Sequence, residues 1–199
     1  MYRDDPLTVR DIAARHRVAL VALALVLLVG TIELLNGRPP ICPCGRISLW
    51  QGSAQSPETS QQLADWYSFS HIIHGFLFYG AAHLALRTRP AWRAWALPIA
   101  ALVEGGWELL ENSPLIIDRY REATIAIGYS GDSILNSLCD IGWMAFGFWV
   151  AGKLPAWATI ALAIGFELMT LAIIRDNLTL NVWMLLAPND AVRAWQAGG

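Results

Sequence analysis

Residues 18–35 read VALVALALVLLVGTIELL, from Val18 to Leu35, with Glu33 as the single charged residue. At about 1.5 Å of rise per residue, this run is roughly 27 Å long as a helix, close to the ~30 Å hydrocarbon core of a bilayer. Arg10, Arg15 and Arg17 precede it, as in a signal peptide, but no small-x-small cleavage site follows. Arg38-Pro39-Pro40-Ile41 stands where a lipid-attachment box before Cys42 would be. The run therefore reads as an uncleaved first membrane span, stopped at Asn36-Gly37.

The rest of the chain agrees with that class. Of 199 residues, 55% are hydrophobic and 15% are charged, against about 25% charged in soluble domains. Mean hydropathy is +0.41. Further spans are expected at about 66–86, 94–110, 132–150 and 157–174, bounded by Arg87-Thr88-Arg89-Pro90, Asn112-Ser113-Pro114, Gly152-Lys153-Leu154-Pro155 and Arg175-Asp176-Asn177. Residues 178–188 are apolar but too short to cross alone, so they read as an interfacial or re-entrant helix or as the continuation of a kinked fifth span. Residues 38–65 form a loop, in which Ser56-Pro57-Glu58 looks like a helix start. Residues 115–131 read as a second loop. The expected fold is all-α: one polytopic membrane domain of about five transmembrane helices plus a short C-terminal helix.

Lys and Arg in short loops favour the N-terminal side as cytoplasmic, with residues 1–17 a basic arm and 38–65 a periplasmic loop. The implied location is a bacterial inner membrane and the implied partners are membrane lipids. No basic cluster points to nucleic acid. Trp50, Trp66, Trp92, Trp95, Trp157, Trp183 and Trp195 lie near span ends, where amphipathic rings favour the headgroup level.

Ionisable residues inside spans carry the functional signal, because each is expensive there, about 2.5–3.5 kcal/mol for Asp at a helix centre. Glu104, Glu108 and Glu111 share one face of the third span at i, i+4, i+7. Asp132, Asn136 and Asp140 share one face of the fourth. Asp132 and Glu111 also read as ordinary helix ends, Asp132 as an N-cap after Gly131. His71 and His74 form an HxxH pair that can present two imidazoles to one ion, although an interfacial histidine is often just a polar tip. Glu33 and Glu167 are single acids in their spans, free to join a site or to pair locally. With a cytoplasmic N-terminus, nearly all of these acids fall in the outer half of the membrane. The expected catalytic set is Glu104, Glu108, His74 and Asp140. Asn136, Arg119 and Arg121 are candidates to bind substrate, although local salt bridging is the plainer reading of the two arginines. A divalent metal, if present, would take His71, His74, Glu104 and Glu108. Cys42 and Cys44 lie in a CPCG turn without a second cysteine pair, which reads as a tight turn, oxidised if periplasmic, rather than as a zinc site. Walker, Rossmann, Gly-x-Ser-x-Gly and HExxH motifs are missing from the sequence.

Taken together, the CPCG turn, Ser-His-Ile-Ile-His-Gly (70–75), Glu-Gly-Gly-Trp-Glu-Leu-Leu-Glu-Asn-Ser (104–113), Asp-Arg-Tyr-Arg (118–121) and Tyr-Ser-Gly-Asp-Ser-Ile-Leu-Asn-Ser-Leu-Cys-Asp (129–140) resemble an uncharacterised family of bacterial multi-pass inner-membrane proteins. The resemblance implies a membrane location and no specific activity. There is a fainter likeness to VanZ-type membrane proteins. The expected function is an outward-facing intramembrane His/Glu/Asp site acting on a lipid or envelope precursor, as a membrane-embedded hydrolase or transferase. A proton- or ion-coupled small transporter and a non-catalytic membrane assembly factor are the alternatives.

Overall fold

The computed structural model describes residues 9–124 and 128–198. Residues 1–8, with Arg3, Asp4 and Asp5, and the side chains of Arg10, Asp11 and Arg15 lie outside the described residues. Among the described residues the regular elements are helical: α1 (Val9–Leu35), α2 (Ser68–Ala85), α3 (Ala96–Glu111), α4 (Pro114–Ala123), α5 (Ile134–Ala151), α6 (Ala156–Ile174), α7 (Leu178–Leu186) and α8 (Asp190–Gln196), with a 3₁₀ turn over Pro90–Trp95. An isolated bridge pairs Gln51 with Asp65.

Three helical stretches are long and apolar enough to cross a membrane: His16–Leu35, Ile134–Ala151 and Ala156–Ile174. The sequence pattern predicts five. The other two helices are present but fall short of that measure. α2 carries His71, His74 and His83, and α3 has 16 residues.

Several expectations are corrected. Ser56-Pro57-Glu58 starts a turn instead of a helix: Ser56 Oγ accepts from Glu58 N–H, and Ser60 then takes φ +61°, which ends any helical path. Residues 115–123, expected as loop, form α4 with Pro114 in its first turn, where the missing N–H costs nothing. Asp132 does not cap α5. Ser133 does, accepting from Asn136 N–H at 3.2 Å. The C-terminal apolar stretch is the separate short helix expected, not a continuation of α6. Arg175 closes α6 in the left-handed region, and Asn177 Oδ1 caps α7 through Leu180 N–H at 2.8 Å. Glu167 caps it too, accepting from Leu178 and Thr179 N–H at 3.0 and 3.1 Å.

The centre of the fold is the crossing of α2 and α5, the most extensive helix pair. Gly75 and Gly147 make it possible. A Cβ on Gly75 would overlap the Met144 carbonyl, and one on Gly147 would overlap the Ile72 carbonyl, so the two backbones touch where side chains would normally intervene. α1 and α3 pack on this pair, with Val29, Ala100, Ala101, Ile141 and Met144 forming an apolar core. α6 lies against α2 through Phe69, Phe76 and Phe166.

Beside this apolar core, large apolar side chains are exposed and ionisable ones are buried. Leu20, Leu23, Leu27 and Leu28 on α1, and Trp157, Ile160, Ile164, Leu168 and Ile173 on α6, are exposed. Glu33, Gln62, Glu104, Glu108, Asn136 and Asp140 are buried. A bundle with hydrocarbon outside and a polar interior has this pattern.

Candidate functional site

His71 and His74 lie one helical turn apart on α2, Glu104 and Glu108 one turn apart on α3, and Asp140 on α5. The i+3 and i+4 spacings turn each pair toward its neighbours. The glycine crossing draws α2 close enough to α5 for their polar groups to meet. His71 Nδ1 lies 2.7 Å from Glu104 Oε1 and 3.6 Å from Glu108 Oε1, while its Nε2 lies 3.7 Å from Asp140 Oδ2. His74 Nδ1 meets both Glu104 oxygens, at 3.0 and 3.1 Å. His71, His74 and Glu104 each offer a ligand atom, all within 4.8 Å of one another. Glu108 Oε1 is buried without a hydrogen-bond partner.

Three carboxylates and two imidazoles thus share one enclosed space. With both rings neutral the group would hold three negative charges, a state that burial forbids. Protons or a cation must balance it. His71 has a carboxylate facing each ring nitrogen, so both nitrogens act as donors or one carboxyl carries the proton. The four residues named for metal binding from the sequence, and the four named for catalysis, are therefore gathered here.

Residues that the sequence did not single out hold this group in place. Asp65 fixes the entry to α2: its carboxylate accepts from Ser60 and Tyr67 N–H, each at 2.8 Å, and its own N–H donates to Ser68 Oγ. Burial pushes the Asp65 carboxyl up, and those amides partly offset the shift. Ser68 Oγ in turn lies 3.5 Å from Asp140 Oδ1. Gln61 Nε2 donates to Gly131 O, and Trp143 Nε1 to Leu63 O, tying the 38–65 loop to α5. Asp65, Gln61 and Gln62 sit in a stretch that reads as a solvated loop, so nothing in their spacing marks them as buried.

The remaining expected residues lie elsewhere. Asn136 is buried but holds the loop, with Nδ2 donating to Gln62 O at 2.9 Å. Arg119 Nε donates to Leu185 O, joining α4 to α7, and Arg121 Nε donates to Tyr129 O. Asp132 belongs to a second network with Glu33, Asn112, Ser137 and Tyr129. Glu111 is half-buried near Tyr120 and Trp107. Cys42 and Cys44 are bonded to each other, so that turn offers no thiolate to a metal.

A family model described as "Protein of unknown function (DUF2585)" matches residues 33–198. The chain belongs to the DUF2585 family. The match takes in both polar networks, from Glu33 onward. Relatives of this DUF2585 chain are bacterial and carry the name "UPF0314 protein". That of Sphingopyxis alaskensis is 60% identical over 180 residues, 90% of this chain and 95% of its own. That of Novosphingobium aromaticivorans is 59% identical over 184 residues, 91% and 93%. That of Paracoccus denitrificans is 53% identical over 178 residues, 88% and 91%. The expected membership of a bacterial family without an assigned activity is thereby met, while these names carry no VanZ likeness. No solved structure matches the chain.

Proposed function

We propose that this chain is a multi-pass inner-membrane protein whose His71, His74, Glu104, Glu108 and Asp140 form an outward-facing active site. It acts on a lipid or envelope precursor as a metal-dependent hydrolase or transferase. The spans are α1, α2, α3, α5 and α6, with the N-terminus cytoplasmic. The observation that carries the reading is Glu108 Oε1, a buried oxygen without a hydrogen-bond partner beside a group of three convergent ligand atoms. Such an oxygen is costly unless something binds it.

His71, His74, Glu104 and Glu108 would hold the ion, a nitrogen–oxygen donor set that suits zinc, iron or manganese. Bound there, a divalent cation supplies Lewis acidity toward a phosphoryl or carbonyl oxygen. The protein's own groups do the rest. Asp140 faces His71 Nε2 at 3.7 Å, an ion-pair contact that favours one orientation of the ring. His74, with 18% of its side chain exposed against 0% for Glu104, is the member placed to pass a proton to or from a reactant. The Cys42–Cys44 bond supports an oxidising, outer location for the loop that covers this end of the bundle.

Elemental analysis of protein purified without added chelator tests the site. About one transition-metal ion per chain is expected, lost in Glu104→Gln and His74→Ala, together with a change in membrane lipids or wall precursors in cells lacking the protein. A metal-free wild-type protein whose Glu104→Gln variant is merely less abundant would instead favour the assembly-factor reading. Reporter fusions at Gln51 and Arg121 should read periplasmic, and those at Thr88 and Lys153 cytoplasmic. The reverse pattern would sink the outward orientation.

A further inference from the structure

The outer ends of α1, α3 and α5 enclose a second polar cluster that contains no histidine. Glu33 Oε1, Asp132 Oδ2, Ser137 Oγ and the Glu108 carbonyl all lie 3.1–3.2 Å from a single nitrogen, Asn112 Nδ2. An amide nitrogen carries two hydrogens, so it can satisfy only two of these four oxygens at once. The amide cannot be turned around, because its Oδ1 accepts from Asp132 N–H at 2.6 Å. Beyond this, Glu33 Oε2, on a residue 1% exposed, has no hydrogen-bond partner. Arg38 stands nearby with its guanidinium on the Asp132 and Ser130 carbonyls. It offsets one of the two carboxylates and leaves the other uncompensated.

We propose that this cluster is a binding site for a hard cation of the calcium class, separate from the His71/His74 group. The converging donors are carboxylate, hydroxyl and carbonyl oxygens, the set preferred by such ions and poor for zinc or iron. Asn112 Nδ2 marks the point on which the oxygens converge; the ion takes its place as the Asn112 side chain leaves the Asp132 N–H, and Glu33 Oε2, which has no hydrogen-bond partner, becomes a ligand. The site ties α1 to α3 and to the Asp132 turn that leads into α5. It rests on none of the residues assigned to the active site except the backbone of Glu108.

Terbium luminescence tests it, because Tyr129 Oη lies 2.8 Å from Asp132 Oδ1 and can sensitise an ion held there. Full-length wild-type protein in detergent, excited at tyrosine and titrated with Tb³⁺, should give saturable emission that Ca²⁺ competes away. Glu33→Gln and Asp132→Asn should each weaken binding at least tenfold, and His74→Ala should leave it unchanged. Tyr129→Phe should dim the emission more than it weakens Ca²⁺ binding by calorimetry, because it removes the sensitising phenol and only one hydrogen bond to Asp132. If the wild-type protein shows neither saturable emission nor calorimetric Ca²⁺ binding, the proposal is overturned, whatever the variants do. Emission abolished by His74→Ala would also overturn it, by placing the ion in the other site. Transition-metal content, measured separately, reports on the active-site reading alone.

Discussion

Gly75→Ala should be among the most damaging conservative changes in this chain. The new Cβ would stand 2.5 Å from Phe148 N and 2.9 Å from Gly147 C, and closer still to the Met144 carbonyl. Carbon contacts settle near 3.5–4.0 Å, so α2 and α5 must part by about 1 Å, a gap that forfeits a quarter to a half of each dispersion contact along the seam. All three atoms are backbone, so no rotamer change relieves the clash. The cost should reach about 3 kcal/mol, the top of the usual range for overpacking. For a chain of this size that corresponds to a fall in Tm of roughly 6–12 °C. The displacement also draws His71 away from Asp140, now 3.7 Å distant, so site function should fall with stability. Gly106→Ala is the matched control. Gly106 is exposed on α3 with nothing within 4 Å of its added Cβ, and alanine should stabilise the helix by about 1 kcal/mol. Thermal unfolding in detergent, read by circular dichroism, compares the two. Equal melting temperatures for Gly75→Ala and wild type would refute the backbone-contact account of the α2–α5 crossing.

Other outcomes follow from single observations. The Asp176 carboxyl, which accepts from Asn177 N–H, Tyr67 Oη and Gln196 Nε2, is pushed up by burial from 3.8 to about 6. A folded pKa above the unfolded one means the folded state holds that proton more tightly. Its contribution is therefore greatest below pH about 4 and declines as pH rises to about 6, by on the order of 2–3 kcal/mol. Asp176→Asn should flatten that limb of a stability–pH curve, and an unchanged limb would remove Asp176 as its cause. Thiol titration of the denatured protein should find one reactive cysteine, Cys139, before reduction and three after it. Three before reduction would show the CPCG turn to be open. Glu167→Ala should fray α7 by removing the acceptor of Leu178 and Thr179 N–H, costing about 1 kcal/mol. Equal amide-exchange protection across Leu178–Leu186 in variant and wild type would count against that capping role.

Much of the architecture was legible along the chain. Helix boundaries of α2, α3, α5 and α6 fall within two residues of those expected, because apolar runs and Pro, Gly and Arg stops act locally. The acids and histidines could be assigned to faces for the same reason, since a helix repeats every ~3.6 residues whatever surrounds it. α4 was missed although Ser113-Pro114 carries a start signal, because its polar composition resembles a loop. Ser56-Pro57-Glu58 carries a helix-start signal, yet the chain turns there, because Asp65 Oδ2 accepts from Ser60 N–H, a contact that the start signal itself does not encode.

The sequence by itself determined that this chain is a string of apolar helices with His71, His74, Glu104, Glu108 and Asp140 set at costly positions within them. Local periodicity and the energetics of ionisable groups suffice for that. Tertiary structure decided that these side chains meet, because their meeting depends on two glycines, Gly75 and Gly147, that let α2 and α5 touch. It also divided the acids. Asp132, expected on the same helix face as Asp140, joins Glu33 and Asn112 in an oxygen cluster, while Asp140 turns to His71. Glu167 leaves both groups and caps α7. Distances across a bundle come from packing between helices far apart in sequence, and one helix's own pattern does not encode which neighbour its polar face will find.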